Sequence, residues 1–304
     1  MELKPHYDIL IPGSYFCDII FTGLPSFPAL GTEIYCDSLS VVPGGVMNTV
    51  IGLRRLGVNV GWCGVIGDDF FSRFALEQAE REGLDTALLV RDGNPVKRVT
   101  VALSAPEDRA FVTYVDPSPN KTELAFLALE RATFNHLHFT GLVFDERTVE
   151  LIDICHTRGI RVSMDCQHRD ETLSEVAHVL SKLDMFMPNA SEALRLTRAD
   201  RLADAMDRLA EVVPLVVIKN GAAGAIARHE GTDYDAPALT LTPVDTTGAG
   251  DVFNAGFLAA YLRGHDVPTC LRWGNFCGGM STQAVGGATG APTLDALQAW
   301  LSGP

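Results

Sequence analysis

Residues 245–254 read DTTGAGDVFN, and an apolar stretch follows them. Gly248 and Gly250 allow the backbone to turn tightly and to approach a ligand. A helix that starts here points its free N–H groups and its positive dipole end at whatever precedes it. That arrangement binds anions, most often phosphate. No Walker lysine accompanies it, and two threonines and two aspartates replace the G-x-G-x-x-G of dinucleotide folds. Asp251 stands beside the turn. An ionised carboxylate is favoured at a helix start and accepts the proton of a hydroxyl that attacks phosphorus. The amides meanwhile stabilise charge on the transferring group. Base and anion hole in one turn suit phosphoryl transfer to an alcohol. Read locally, the same residues equally make a plain glycine turn capped by Asp251.

A second pair with oxygen chemistry lies in PNASEAL, residues 188–194. Asn189 and Glu192 follow a run that reads as a buried strand. Magnesium takes oxygen ligands and keeps waters, so the pair could organise it. The same spacing is also that of a helix start, with Asn189 or Ser191 capping and Glu192 favouring the dipole. His136 and His138 share one face of a strand. No further ligand follows at telling spacing, so packing is expected there rather than a metal.

These residues need a scaffold, and the chain supplies alternating elements. Strands are predicted at 7–13, 59–67, 136–141, 161–165, 184–189 and 214–221. Helices are predicted at 47–57, 68–83, 146–158, 189–196 and 200–211 from their apolar spacing, caps and glycine stops. Repeated strand–helix–strand units imply an α/β fold with a mainly parallel sheet flanked by helices. Ligands then bind beyond the carboxyl ends of the strands. Residues 15–42 and 96–116 break the pattern with β-formers and turn residues. They read either as a small β lid over the site or as an edge extension of the main sheet.

The totals exclude several classes. The chain has 304 residues with a formal net charge of −14, and it is 47% hydrophobic. An acidic chain without a basic face is not expected to bind nucleic acid or an anionic membrane. Its apolar runs fall far short of the ~20 residues a membrane helix needs. The seven cysteines form no C-x-x-C pair, so reduced thiols are expected, and with them a cytoplasmic protein.

The stretch DTTGAGDVFNAGFLAAYLRG resembles the C-terminal signature of the ribokinase-like (PfkB) carbohydrate kinases. PGGVMNTVIGLRRLGVNVGWCGVIGDD, residues 43–69, resembles their N-terminal signature. The resemblance covers the whole chain, 1–304, as one ribokinase-like α/β domain with the lid inserted from about 15–42 and 96–116. It implies ATP-dependent phosphoryl transfer to a hydroxyl of a small sugar or sugar-like acceptor. Asp251 matches the base, and Thr247, Gly248, Ala249 and Gly250 match the anion-hole turn. Asn189 and Glu192 match the N-x-x-E element, with Glu192 reaching Mg²⁺ through water.

IKNGAAGA, residues 218–225, resembles the T-x-G-x-x-G nucleotide element, with Lys219 in place of threonine and Gly221 and Gly224 retained. Asn275 is placed near the adenine. Asp245 and Thr247 match positions that hold a monovalent cation in many members, which leaves K⁺ as an option. Asp18, Gly44, Gly45 and Asn48 match the acceptor-binding set. One departure is visible: from Gly44-Gly45 the spacing to Asn48 is one residue short of G-G-x-x-x-N. MDCQHRD, residues 164–170, resembles a D-x-N-x-R segment, in which Arg169 approaches the acceptor or a phosphate or else pairs with Asp170 or Glu171.

A nucleoside kinase of the same family is the alternative, with Tyr15, Phe16 and Tyr114 as candidates to hold a base. A non-catalytic sugar-binding protein would have lost the base or the glycines, and both are kept. A nicotinamide oxidoreductase lacks its glycine fingerprint after the first strand. The absence of a basic cluster at Gly45, Val46 and Met47 argues against an already phosphorylated sugar. The resemblance also implies a homodimer paired through the lid.

Overall fold

The structure is a computed structural model that describes residues 4–105, 108–167 and 170–303. The chain enters a sheet as β1 (His6–Pro12) and leaves it for the antiparallel pair β2 (Tyr15–Thr22) and β3 (Ser38–Gly45). It returns through α1 (Val46–Arg55) to β4 (Val60–Cys63), which lies parallel to β1. The run expected as one strand over 59–67 is interrupted at Gly64. There the backbone passes so close to the Gly13 carbonyl that a Cβ would stand 2.6 Å from it. The next two residues, β5 (Val65–Ile66), pair instead with β6 (Val90–Arg91) across α2 (Phe70–Arg81). Asp69 caps α2 by accepting from Phe71 N and Ser72 N.

A second excursion, β7 (Arg98–Ser104) and β8 (Arg109–Val115), joins β2 and β3 in a separate four-stranded mixed sheet of order β3-β2-β7-β8. The β-rich insertions are therefore a lid and not an edge of the main sheet. The chain then alternates through α3 (Lys121–Arg131), β9 (Thr133–Phe139), α4 (Glu146–Thr157), β10 (Arg161–Met164), α5 (Leu173–Leu180) and β11 (Met185–Phe186). It continues through α6 (Ala190–Thr197), α7 (Leu202–Ala210), β12 (Leu215–Lys219), β13 (Ala225–His229) and β14 (Thr232–Ala236). Three helices close it: α8 (Ala249–Leu262), α9 (Val267–Ser281) and α10 (Leu294–Ser302).

The main sheet has eight strands in the order β14-β13-β12-β11-β10-β9-β1-β4, parallel from β4 to β12 and antiparallel at the last two. Period-two alternation divides its side chains between two faces. Leu215 and Val217 join one core with α1, α8 and α9, whereas Val216 and Ile218 join the other with α3, α4 and α7. β1 sits where the strand order reverses, and both excursions into the lid leave from the carboxyl side of the sheet. This switch point is where an open α/β sheet forms its crevice.

His136 and His138 alternate with Leu137 and Phe139 and are fully enclosed. Both ring nitrogens facing β10 meet Ser163 Oγ, at 2.6 and 2.8 Å. Burial pushes both imidazoles down to about 3, so they pack neutral. All seven cysteines are free thiols. No helix among the described residues is long and apolar enough to cross a membrane.

Candidate active site

Helix α8 begins at Gly248, whose backbone is left-handed with φ 68° and which carries no capping side chain. A Cβ there would stand 2.6 Å from Gly287 Cα and 3.0 Å from Asn48 Nδ2, so only glycine fits. The amides of Gly250 and Asp251 belong to the first turn, where a helix provides no partner of its own. Gly250 lines an apolar pocket of about 320 Å³ whose walls include Gly224, Leu239, Leu241, Phe253 and Gly279. Thr246, Ala249, Gly250 and Lys219 line its inner end. An apolar slot closed at one end by a helix N-terminus fits a nucleotide base with its phosphates.

Asp251 is not the cap of this helix. It lies inside the first turn, and its Oδ2 accepts from Asn48 Nδ2 at 3.0 Å. The pairing depends on close packing of α1 against α8. Gly52 and Ala255 lie one turn beyond Asn48 and Asp251, and a Cβ on Gly52 would stand 2.7 Å from the Ala255 Cβ. The small pair brings the helices near enough for the amide to reach the carboxylate. Burial, and then the charge of Asp165, push the Asp251 carboxyl up to about 6, while the Asn48 hydrogen bond and Lys219 oppose that rise.

Asp18, on β2, faces Gly44 on β3 so closely that any Cβ at 44 would collide with its carboxylate. Burial, followed by the charge of Asp251, raises Asp18 to about 6. Asp18 and Asn48 are thus both brought near Asp251, and Gly44 gives Asp18 room. The shortened G-G spacing is absorbed at Gly45, which ends β3 with φ 63° and starts α1 directly. A cleft of about 520 Å³ opens beside Gly45, between lid and body. Ser14, Phe16, Asn120, Lys121, Thr140 and Gln167 are among its walls. Tyr15 does not line it: the ring is fully buried, with its hydroxyl on Ser72 Oγ and the Val96 carbonyl. Tyr114 is exposed and donates to Asp116. Arg169 lies outside the described residues.

Lys219 projects from β12 between pocket and turn. It donates to Asp165 Oδ1 at 2.8 Å and Asn254 Oδ1 at 3.3 Å, and Asn254 donates to Asp165 Oδ2 at 2.7 Å. Asp165 and Asn254 are thus part of the site's floor. The signal for Asn254 lay in its spacing, three residues after Asp251 on the same helix face. Asn189 and Glu192 form a reciprocal capping box on α6, with Asn189 Oδ1 accepting from Glu192 N and Glu192 Oε2 accepting from Asn189 N. Glu192 is buried, and that burial, with Asp165 nearby, raises its carboxyl.

Among the described residues no group of three or more His, Cys, Asp or Glu side chains could hold a metal alone. Glu192, buried with Asp165 nearby, offers oxygen chemistry that fits a magnesium ion carried mainly by phosphate and water oxygens. Asn275 lines the same apolar pocket, but its amide donates to the Ala236 and Pro237 carbonyls and so holds the pocket wall. Gly221 opens a 3₁₀ turn (Gly221–Ala223), and Gly224 follows it where the 236–238 backbone leaves no room for a Cβ. Asp245 and Thr247 hydrogen-bond to each other and to Arg109 of the lid, a residue no sequence pattern marked.

Comparison with known proteins gives the family and the fold. The pattern of the pfkB family carbohydrate kinases matches residues 19–294. The chain is 30% identical to a fructokinase from Vibrio alginolyticus over 287 residues, 86% of this chain and 92% of that one. Its fold is similar to a putative ribokinase II from E. coli solved with ATP and Mg²⁺, at 20% identity and TM-score 0.81, covering 99% of both chains. It is also similar to a fructokinase double mutant from Vibrio cholerae holding fructose, ADP and a potassium ion. That likeness has 22% identity and TM-score 0.77 over 99% of this chain and all of the other. The chain belongs to the PfkB carbohydrate kinase family and has the ribokinase fold. It is a sugar kinase that phosphorylates its acceptor with ATP, and the binding-protein and oxidoreductase alternatives fall away.

Proposed function

We propose that the protein transfers the γ-phosphoryl group of ATP to a hydroxymethyl group of a small sugar, with Asp251 as general base. The acceptor oxygen forms a bond to phosphorus as its proton passes to an Asp251 carboxylate oxygen, and the bond to the β-phosphate oxygen breaks to release ADP. The observation that carries this reading is the Asn48–Asp251 hydrogen bond at the N-terminus of α8. It holds a buried carboxylate at the start of the helix whose first residues, Ala249 and Gly250, line the apolar pocket, and near Asp18 of the lid. At neutral pH a group with a pKa of about 6 is ionised and ready to accept a proton.

The amides of residues 247–250 serve as the anion hole. Asp18 accepts from acceptor hydroxyls in the room left by Gly44 and Gly45. The buried Asn48 Oδ1, which has no partner among the described residues, accepts another. Gly221, Gly224 and Asn275 shape the nucleotide pocket, and Lys219 approaches its phosphate end. Magnesium would be held through water by Glu192, oriented by Asn189, and would neutralise phosphate charge. Of the three aromatics that could hold a base, Tyr15 is enclosed, Tyr114 faces solvent and Phe16 alone lines the cleft, which favours a sugar over a nucleoside as acceptor.

The lid leaves Leu39, Val41, Phe111, Val112 and Val115 exposed. These lie on both outer strands, β3 and β8, so a second copy of the chain can cover them by a two-fold pairing. Free thiols throughout suit a reducing cytoplasm. The test of the reaction is ADP release against a panel of sugars and nucleosides, wild type beside Asp251→Asn. A variant that keeps near-wild-type turnover on the preferred sugar overturns the base assignment. A nucleoside as preferred acceptor overturns the substrate class. Light scattering tests the dimer: a monomer mass overturns it.

A further inference from the structure

Asp245 is 7% exposed and lies two residues before Thr247, at the root of the turn. Its Oδ2 accepts from Gly286 N at 2.9 Å. Its Oδ1 accepts from Thr247 N at 2.9 Å and Thr247 Oγ1 at 2.8 Å. A further donor comes from the lid. Arg109, the first residue of β8, places Nη1 2.7 Å from Asp245 Oδ1 and 2.8 Å from Thr247 Oγ1. Its Nη2 stands 3.0 Å from Thr246 Oγ1. One planar fork thus holds three consecutive side chains that lead into the anion hole. Burial of Asp245 works to raise its carboxyl, yet these donors and the Arg109 charge hold it below the usual carboxylate range.

A monovalent metal coordinated by Asp245 Oδ1 and Thr247 Oγ1 would need lone pairs that the guanidinium already engages, and Asp245 Oδ2 is turned to Gly286 N. Its charge would also fall beside one that is already there. The residues present do not fit an added cation at these oxygens. Arginine suits the place because it is permanently charged and its donors are fixed in a plane.

We propose that Arg109 is a built-in cation of the phosphoryl-transfer turn, replacing a monovalent metal at Asp245 and Thr247 and holding the turn in shape from the lid. The proposal rests on residues 247–250 being the anion hole. The kinase then works without potassium. The turn is also fully assembled only when the lid lies over it, so the cation site and water exclusion are set together. Arg109 acts through Asp245 and Thr247 and is a positioning residue.

The experiment compares wild type, Arg109→Gln and Arg109→Lys in choline, sodium and potassium chloride at matched ionic strength. It reads ADP release on the preferred sugar and, without substrates, the melting temperature. Wild type is expected to vary less than about twofold in rate among the salts, and Arg109→Gln to lose about tenfold or more in kcat in choline with a smaller change in the KM for ATP. Potassium then restores part of that kcat and raises the melting temperature of Arg109→Gln alone. Arg109→Lys keeps a charge in place and works without potassium. Three results overturn the proposal: stimulation of wild type by potassium, no cation selectivity of Arg109→Gln in either readout, or a rise in the KM for ATP with kcat unchanged. The last would make Arg109 a phosphate clamp. Asp251→Asn loses transfer in every salt, whereas the melting arm needs no turnover, so failure of the base reading and failure of this one are separable.

Discussion

Two regions meet at the candidate site in different ways. The α8 turn is a continuous stretch in which Asp245, Thr247, Gly248, Asp251 and Asn254 fall within ten residues. The lid contributes single residues from separate strands, Asp18 from β2 and Arg109 from β8, the latter 136 positions before Asp245. The turn is built by local rules: a left-handed glycine, a helix start and one helix face. The lid residues reach the site only because β2, β3, β7 and β8 pair in one small sheet. A site made of both has chemistry written locally and assembly decided at long range.

The largest expected effect breaks the local half. Asp251→Asn should lower kcat by roughly 10²–10⁴ on the preferred sugar, the range for a lost general base. Steady-state ADP release measures it. The same variant sharpens the electrostatics. The folded-state pKa of Asp251 is raised from 3.8 to about 6. Between those values the folded protein holds a proton the unfolded chain has lost, so stability rises as pH falls through that window. Wild-type kcat/KM should accordingly fall below pH about 6. Asp251→Asn should melt higher at neutral pH and gain less on acidification, retaining the parallel contributions of Asp18 and Glu192. Melting curves across pH check the sign.

Gly52→Leu tests how the two helices register. Overpacking against Ala255 should cost about 1–3 kcal/mol in urea unfolding and lower kcat by separating Asn48 from Asp251. Asn48→Ala should lower kcat by removing the contact while leaving α1 packed against α8, and comparing the two variants separates packing from contact. A smaller effect is expected at the N-terminus of α6. Asn189→Ala removes one member of the capping box and should cost about 1 kcal/mol. If Asn189 also organises magnesium, the concentration of Mg²⁺ for half-maximal rate rises as well. The smallest belongs to the lid surface: Tyr114→Phe removes an exposed hydrogen bond and should change stability by less than about 0.5 kcal/mol.

Much of the scaffold was legible because its signals are local. The apolar runs at 161–165 and 214–221 became β10 and β12, and the glycine-stopped helical spacing at 68–83 became α2 behind its Asp69 cap. The turn glycines and Asp251 were legible for the same reason. Other features were not. Residues 59–67 broke at Gly64 because a second segment, at Gly13, passes against it. Tyr15 looked available to a ligand, but its alternation on β2 turns it into the core. The substitution of lysine at 219 became intelligible only beside Asp165 and Asn254, with which it forms a buried network.

The sequence alone determined an α/β order, a glycine turn before an apolar helix, a carboxylate in that turn and a pair of β insertions. Those are consequences of backbone freedom, periodicity and charge, which act over a few residues. The tertiary structure alone decided that Asp251 is bonded to Asn48 instead of capping its helix. It also decided that the insertions form a lid and that a lid arginine sits on Asp245. These depend on which segments approach one another across the fold. Such approach is set by close packing, as at Gly52 and Ala255, and by strand pairing, neither of which a short stretch of sequence contains.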